Sequence, residues 1–314
     1  MEKLAELRTA HTDLACPEAI VVATDLKDAE RLLPYAIAQA KSSGAALTVV
    51  HAMPPEDSQE SKLGAAASES MIHPAGRRMA MEDIAKRVRA HGISCSTVVN
   101  AGPVADVVEE ILRRTGAGRL IVGTHARQGV DKLLLGSVAR KLLENVEVPV
   151  LIVGPQCKEG SPDWSIKKML LASSSLDKSA PKAVVSRAIA KHNHAALTVL
   201  HVLAPDRHAN RLLTPAQALV EPVLEPNGGG EGQSASIRVT AGDPSVEIVR
   251  VASEISADLI VLGVHHYLFR LPFGKETTAY KVLASAPCPV LTLKSDSALI
   301  RKHALTETRH MALQ

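Results

Sequence analysis

The predicted fold is decided by residues 123–137, which read Gly123-Thr-His-Ala-Arg-Gln-Gly-Val-Asp-Lys-Leu-Leu-Leu-Gly136-Ser137. A short apolar run over residues 120–122 precedes this stretch, and a helix-like run over residues 138–146 follows it. A strand, a glycine-containing loop and a helix in this order are typical of a phosphate-binding loop, because the free N–H groups at a helix N-terminus attract anions. We call residues 123–137 the cradle loop.

The surroundings of the cradle loop recur later in the chain. Ile121-Val-Gly-Thr-His125 matches Val261-Leu-Gly-Val-His265 at an offset of 140 residues. Ala46-Leu-Thr-Val-Val-His-Ala-Met53 matches Ala196-Leu-Thr-Val-Leu-His-Val-Leu203 at an offset of 150. The chain therefore contains one structural unit twice, and a loop between the matched segments absorbs the difference in offset.

Length and composition support two domains of ordinary size. A chain of 314 residues gives about 140 residues to each half. The sequence is 46% apolar but only 2% aromatic, so the core consists of Val, Leu, Ile and Ala, which suits parallel strands flanked by helices. The net charge of +3 is small and gives no reason to expect a nucleic-acid partner.

Strand and helix patterns alternate through both halves. Such alternation predicts an α/β fold of two tandem doubly wound domains, each with a five-stranded parallel sheet. The predicted domains are residues 17–155 and 166–296, with a linker over 156–165 and a tail over 297–314. The predicted strands are 19–24, 47–51, 94–99, 120–123, 148–153, 168–173, 197–201, 236–240, 259–263 and 290–293, and the first-half helices are 28–43, 74–91, 104–115 and 138–145.

The sequence also predicts a soluble cytoplasmic protein. The four cysteines form no CxxC pair, which suits a reducing compartment. The N-terminus is charged and lacks the apolar core of a signal peptide. No apolar run approaches the roughly 18 residues that span a bilayer, so we expect no membrane partner.

Candidate binding residues come from the strand ends of the first half. In a doubly wound sheet, ligands bind beyond the carboxyl ends of the strands, where the strand order reverses. The first strand ends in Thr24 and Asp25, the second in His51 and Ala52, and the fourth in Gly123. We expect the glycine to let the backbone turn sharply and approach a ligand.

The far end of the cradle loop supplies the second group of candidates. Gly136 and Ser137 open a helix, and Ser137 can cap that helix or donate its hydroxyl group to a phosphate. Arg127 lies within the loop and can add positive charge.

These motifs resemble the universal stress protein family in its tandem two-domain form, and the resemblance covers nearly the whole chain. Nucleotide-binding members carry Gly, two residues, Gly, nine residues, Gly and then Ser or Thr. Gly123, Gly136 and Ser137 match this signature, and Val138 matches the residue that follows it. Ala126 replaces the second glycine; if its φ angle must be positive, alanine costs about 1 kcal/mol there.

The resemblance implies the function of the first half. It implies that Asp25 lies near the ribose and adenine and that Ala52 lies against the adenine ring. The implied ligand is ATP, with ADP and AMP left open, and the implied roles are signalling or stress protection. It also implies that residues 148–153 and 290–293 pair, so that the halves form a pseudo-dimer, with a further homodimer and an unknown protein partner left open.

The second half departs from the signature. Ser174 stands at the position equivalent to Asp25, His266 to Ala126, Glu276 to Gly136 and Thr277 to Ser137. A carboxylate where a phosphate approaches is repulsive, so we expect no nucleotide in this half. Four of the six aromatic residues lie in its loop and the helix after it, and we expect them to fill the cleft, to pack beneath the loop, or to contact the other half or a second subunit: Tyr267, Phe269, Phe273 and Tyr280.

Two further interpretations remain open. One is a nucleotide-free interaction or scaffold module that uses this aromatic loop. The other is a slow adenine-nucleotide hydrolase. The sequence contains neither the GxxxxGK[ST] loop nor the GxSxG motif, so we expect no enzyme activity beyond weak ATP hydrolysis. His51 and His201 recur at equivalent strand ends, which indicates a structural role as hydrogen-bonded residues.

Overall fold

The structure is a computed structural model that describes residues 14–53, 74–124, 137–173, 181–203, 235–264 and 277–294, together with residues 297 and 300. Within these ranges, no helix combines the length and the apolar character needed to cross a bilayer.

The first half follows the predicted alternation of strands and helices. The structure confirms the predicted bounds of helix 104–115, and the bounds of the other elements differ from the predicted ones by a few residues. The elements are β1 (Ala19–Ala23), α1 (Ala29–Ser43), β2 (Ala46–Met53), α2 (Pro74–Arg89), β3 (Cys95–Ala101), α3 (Val104–Thr115), β4 (Arg119–Gly123), α4 (Ser137–Asn145) and β5 (Val150–Val153).

The second half repeats the same order over the residues that the structure describes. Its elements are β6 (Lys168–Ala172), α5 (Pro181–His192), β7 (Ala196–Leu203), β8 (Ala235–Ala241), α6 (Pro244–Glu254), β9 (Leu259–Val264), α7 (Thr278–Ser285) and β10 (Val290–Lys294).

The strands form one ten-stranded sheet in the order β3-β2-β1-β4-β5-β10-β9-β6-β7-β8. Within each half all neighbours are parallel, as the α/β alternation predicts. The strand order of the first half reverses between β1 and β4, and that of the second between β6 and β9. Each reversal is a place where ligands bind in this type of sheet.

The two halves join through their last strands. β10 pairs antiparallel with β5, and Leu291 lies opposite Leu151. The hydroxyl group of Thr292 donates to the carbonyl of Val150 at 3.3 Å within this junction. This pairing, which the family resemblance implied, turns two five-stranded parallel sheets into one mixed sheet.

Helices cover both faces of the sheet. One buried apolar cluster combines residues of α1, α2 and α5 with strand residues of both halves. The other cluster combines residues of α3, α4, α6 and α7 with the opposite face of the strands. Each cluster continues across the β5–β10 junction, so the halves share both layers of their core.

The repeat is visible in backbone geometry as well as in sequence. Gly102 and Gly242 precede α3 and α6, with φ angles of +143° and +148°. Residues other than glycine rarely adopt this backbone conformation, which explains why both halves have glycine at this position. The strand predicted from residue 148 begins instead at Val150, because Pro149 has no N–H group to donate to a neighbouring strand.

The predicted linker packs against α1. The hydroxyl group of Tyr35 donates to the carbonyl of Lys158 at 2.7 Å. The ring of Trp164 meets the ring of Tyr35 edge to face, with centroids 5.1 Å apart. A side chain on Gly160 would come within 3.0 Å of Pro34 and Tyr35, so α1 approaches the linker backbone closely.

Candidate functional site

The structure gathers four predicted residues at the carboxyl ends of adjacent strands. β1 pairs with β2 on one side and with β4 on the other. Thr24 and Asp25 follow β1, Ala52 lies near the end of β2, and Gly123 ends β4. They lie at the reversal of strand order, where doubly wound sheets bind ligands.

The other predicted residues are described in part or not at all. Ala126, Arg127 and Gly136 lie outside the described residues. The backbone of Ser137 and Val138 forms the start of α4, as predicted, and the side chains of these two residues lie outside the description. Their part in binding therefore stays a prediction.

The turn after β1 is held by a short hydrogen-bonded chain. The hydroxyl group of Thr24 accepts from the N–H of Leu26 at 2.9 Å and donates to the Asp28 carboxylate at 2.5 Å. Leu26 adopts the left-handed conformation with φ of +74°. This conformation costs a non-glycine residue about 1 kcal/mol or more, so the surrounding hydrogen bonds must stabilise the turn.

Asp25 is held in place by backbone groups of the same turn. One oxygen of its carboxylate accepts from the N–H of Lys27 at 2.9 Å and from the N–H of Asp28 at 3.1 Å. The side chain is exposed at the edge of the sheet. The turn thus fixes a carboxylate at the position where the family resemblance implies contact with a ribose.

Gly123 lies against the carboxylate of Asp28. Its φ angle is not in the left-handed region, so glycine is not needed there for its backbone conformation. A Cβ atom on residue 123 would lie 2.3 Å from Oδ2 of Asp28. A side chain at this position would force the Asp28 carboxylate away from the hydroxyl group of Thr24, so glycine is favoured there.

Arg31 connects the start of the cradle loop with the end of β5. Its guanidinium group donates to the carbonyl of Thr124 at 2.7 Å and to the carbonyl of Gly154 at 3.4 Å. Thr124 is the first residue after β4, and Gly154 is the first after β5. One side chain of α1 therefore holds two strand ends beside the candidate site.

Thr124 carries a buried hydroxyl group at the entrance of the cradle loop. The residue is 5% exposed, and its hydroxyl oxygen has no hydrogen-bond partner among the described residues. A buried hydroxyl group without a hydrogen-bond partner costs about 1–3 kcal/mol. This hydroxyl group therefore suits a site in which a polar ligand supplies the missing hydrogen bond. The equivalent residue of the second half is Val264, which has no polar group to satisfy.

The histidines at the ends of β2 and β7 are hydrogen-bonded, as predicted. Nδ1 of His51 lies 3.0 Å from the carbonyl of Thr24, and Nδ1 of His201 lies 2.9 Å from the carbonyl of Ser173. A carbonyl only accepts, so Nδ1 carries the proton in each ring. Burial lowers the pKa of His51, which favours the neutral imidazole.

Three residues of this site were not predicted from the sequence: Asp28, Arg31 and Thr124. At the offset of 149 that relates Thr24 to Ser173, Asp28 corresponds to Asp177 and Arg31 to Ala180. The sequence alone could have indicated Arg31, because an arginine stands at this position only in the half that keeps the glycine and serine of the cradle loop.

Of the aromatic residues in the second half, only Tyr280 lies within the described residues. It is half-buried on α7 and packs against the core. Burial raises the pKa of its phenol to about 12, and the charges of Arg140 and Glu144 on α4 act on it. Tyr280 therefore lies close to the first half, while Tyr267, Phe269 and Phe273 lie outside the description.

The chain is similar to known proteins over most of its length. The universal stress protein family matches it twice, over residues 18–154 and 166–294. A universal stress protein of Methanocaldococcus jannaschii is 30% identical over 80 residues, which are 26% of this chain and 47% of that protein. The chain thus spans about half the length of this curated relative.

Two solved structures share the fold along nearly the whole chain. A universal stress protein from Archaeoglobus fulgidus superposes with a TM-score of 0.62 at 20% identity, covering 88% of this chain and 96% of its own. A protein of unknown function from Pseudomonas aeruginosa gives a TM-score of 0.59 at 20% identity, covering 95% and 99%. Because the family matches each half in turn and together far more than half of the residues, the chain belongs to the universal stress protein family as a tandem two-domain member.

Proposed function

We propose that the first half binds ATP or another adenine nucleotide as a regulatory ligand and that the second half serves for pairing. The main support for this proposal is that the two halves carry different residues at the place where the strand order reverses. The first half has the buried hydroxyl group of Thr124, the cation of Arg31 and the Gly136-Ser137 helix start. The second half has Val264 and Glu276 at the corresponding positions.

Each group has a defined part in this proposal. The exposed Asp25 carboxylate accepts a hydrogen bond from a ribose hydroxyl group, and Ala52 contacts the base. The N–H groups at the start of α4 and the hydroxyl group of Ser137 bind phosphate oxygens, since a helix N-terminus favours anions. Arg127 adds charge, and the nucleotide completes the hydrogen bonding of Thr124.

The nucleotide acts as a ligand rather than as a substrate in this proposal. We propose that the bound nucleotide orders the cradle loop and thereby changes a surface that a protein partner recognises. The four cysteines, all of them within the described residues, carry free thiols, so we propose the cytoplasm as the compartment.

Calorimetric titration of the full chain with ATP tests this function. We expect one site per chain, and we expect Gly136→Glu to abolish binding by placing a carboxylate where the second half has Glu276. The matched control is Glu276→Gln, which changes the equivalent position of the second half and leaves binding intact. Equal affinities of Gly136→Glu and wild type would refute the site, and two sites per chain would refute the asymmetry.

Two additional measurements separate the alternatives. A heated extract of the purified protein, analysed by chromatography, reveals any nucleotide that co-purifies. Prolonged incubation with ATP followed by product analysis tests hydrolysis, and rapid turnover would replace the ligand proposal with an enzyme. Absence of binding to ATP, ADP and AMP alike would favour the nucleotide-free interaction module.

A further inference from the structure

Lys294, the last residue of β10, reaches from the second half into the first. The residue is only 8% exposed. Its ammonium group donates to the carbonyl of Glu144 at 2.9 Å and lies 3.0 Å from the carboxylate of Glu147. Nearby, the hydroxyl group of Ser297 donates to the carbonyl of Glu147 at 3.2 Å. Lys294 and Ser297 thus bind the last turn of α4 and the segment that follows it.

The group that Lys294 contacts is the C-terminal end of the cradle helix. α4 spans Ser137–Asn145, so the carbonyl of Glu144 is one of those that lack a partner within the helix. A cation at this end stabilises a helix through the helix dipole. The other end of α4, about 13 Å away, begins at the serine of the cradle loop. Lys294 and the proposed phosphate site therefore lie at opposite ends of one helix.

Among the described residues, the position of the first half that corresponds to Lys294 offers no cation to α7, the equivalent helix. The offset of 140 residues that relates the cradle loops also relates Lys294 to Gly154. A Cβ atom on Gly154 would lie 2.8 Å from the carbonyl of Leu283, near the end of α7. The backbone itself approaches α7 there and leaves no space for a side chain. The cation is found beside the helix that follows the retained cradle.

We propose that Lys294 is a positioning residue for nucleotide binding in the first half. The inference rests on the proposed function. Lys294 fixes the C-terminal end of α4 to β10, and this keeps the N–H groups at the helix start in place to receive phosphate. The second half, whose own cradle is degenerate in sequence, thereby contributes to the affinity of the first.

ATP titration and amide hydrogen exchange of Lys294→Met test the proposal. We expect affinity at least about fivefold weaker than wild type, as for a typical coupling between sites. We also expect faster exchange confined to residues 137–145, which a general loss of stability would not produce. Lys294→Arg keeps the positive charge, so it should retain part of the ATP affinity and part of the protection from hydrogen exchange. The matched control is Lys281→Met, which removes an exposed cation from α7 in the same half and leaves affinity unchanged.

The outcomes separate this inference from the function on which it rests. If wild type binds ATP and folded Lys294→Met binds it equally well, the inference is overturned and the proposed function stands. If wild type does not bind, both are overturned. Should Lys294→Met not fold, Lys294→Gln replaces it, because the amide still donates to the Glu144 carbonyl while the charge is lost. Its affinity should fall about two- to fivefold, and an unchanged affinity overturns the inference.

Discussion

The carboxylate of Asp28 occupies the space that a side chain on Gly123 would need. Oδ2 of Asp28 lies 2.3 Å from the position of a Cβ atom on residue 123, and the carboxylate accepts from the hydroxyl group of Thr24 at 2.5 Å. The first glycine of the cradle loop and the residue that precedes α1 are therefore fitted to each other. A larger residue at position 123 would displace the Asp28 carboxylate.

Gly123→Ala should destabilise the protein by about 1–3 kcal/mol, because the added methyl group forces the Asp28 carboxylate away. Asp28→Ala should also destabilise, since the hydroxyl group of Thr24 loses its acceptor. The double variant should lose less stability than the sum of the two, by about 1 kcal/mol or more. Urea unfolding of the four proteins at one pH measures this difference.

Gly44→Ala provides the control for that cycle. Gly44 ends α1 with φ of +67°, and no atom lies within 4 Å of its Cβ position. Alanine there costs about 1 kcal/mol through backbone strain alone. Its effect should add to that of Asp28→Ala. If the stability losses of Gly123→Ala and Asp28→Ala also add in the double variant, the two residues do not compete for space.

The architecture was predictable because its signals are local and repeated. Apolar runs alternating with helical patterns indicate parallel strands, and the repeat at offsets of 140 and 150 indicates two equal units. The same patterns located Thr24, Asp25 and Gly123 at strand ends.

The contacts that shape the candidate site could not be predicted from sequence patterns, because they join residues that are far apart in the chain. Asp28 and Gly123 are separated by 95 positions, and no local pattern of the sequence relates a glycine to so distant a carboxylate. The contact of Lys294 with α4 likewise depends on the antiparallel β5–β10 junction, which brings the end of β10 beside the end of α4.

Arg31→Met should destabilise the protein by about 2 kcal/mol. The variant keeps most of the side-chain volume but loses the hydrogen bonds to the carbonyls of Thr124 and Gly154, and bonds to charged groups are worth about 1.5–3 kcal/mol. Partial exposure of the guanidinium places the expected loss in the lower part of that range. Urea unfolding provides the measurement.

Arg87→Met is the matched control for Arg31. Arg87 pairs with Glu30 on the surface, where the two side chains are 42% and 76% exposed. Exposed pairs contribute less than about 1 kcal/mol, so the control should change stability little. Equal losses in the two variants would show that Arg31 is no more than a surface cation.

Tyr35→Phe should destabilise the protein by about 1 kcal/mol through loss of the hydrogen bond to the Lys158 carbonyl. The phenylalanine ring keeps the edge contact with Trp164, so the fluorescence emission of this single tryptophan should not shift. Tyr35→Leu removes the ring, and emission should move to longer wavelength as water reaches the indole. A comparable shift in Tyr35→Phe would show that the hydroxyl group, rather than the ring, positions residues 156–165.

Stability should decline as the pH falls from 7.5 to 5.5, in part through His51. Burial lowers the pKa of the folded imidazole below its ordinary value of about 6.5, so the unfolded chain binds a proton more readily. The contribution is fully present above pH 6.5 and is lost progressively as the pH falls toward the folded pKa. The carboxylates with lowered pKa values, such as Glu30 and Glu247, lose their contributions only near and below their ordinary pKa of about 4.5.

His51→Gln isolates this part of the pH dependence. The amide can still donate to the carbonyl of Thr24, but it does not titrate. Urea unfolding at pH 7.5 and 5.5 should therefore show a smaller stability difference for His51→Gln than for wild type. His91→Gln, at an exposed position just after α2, should retain the wild-type difference. If His51→Gln retains it as well, the ring of His51 does not contribute to acid sensitivity, and its pKa in the folded protein is not lowered.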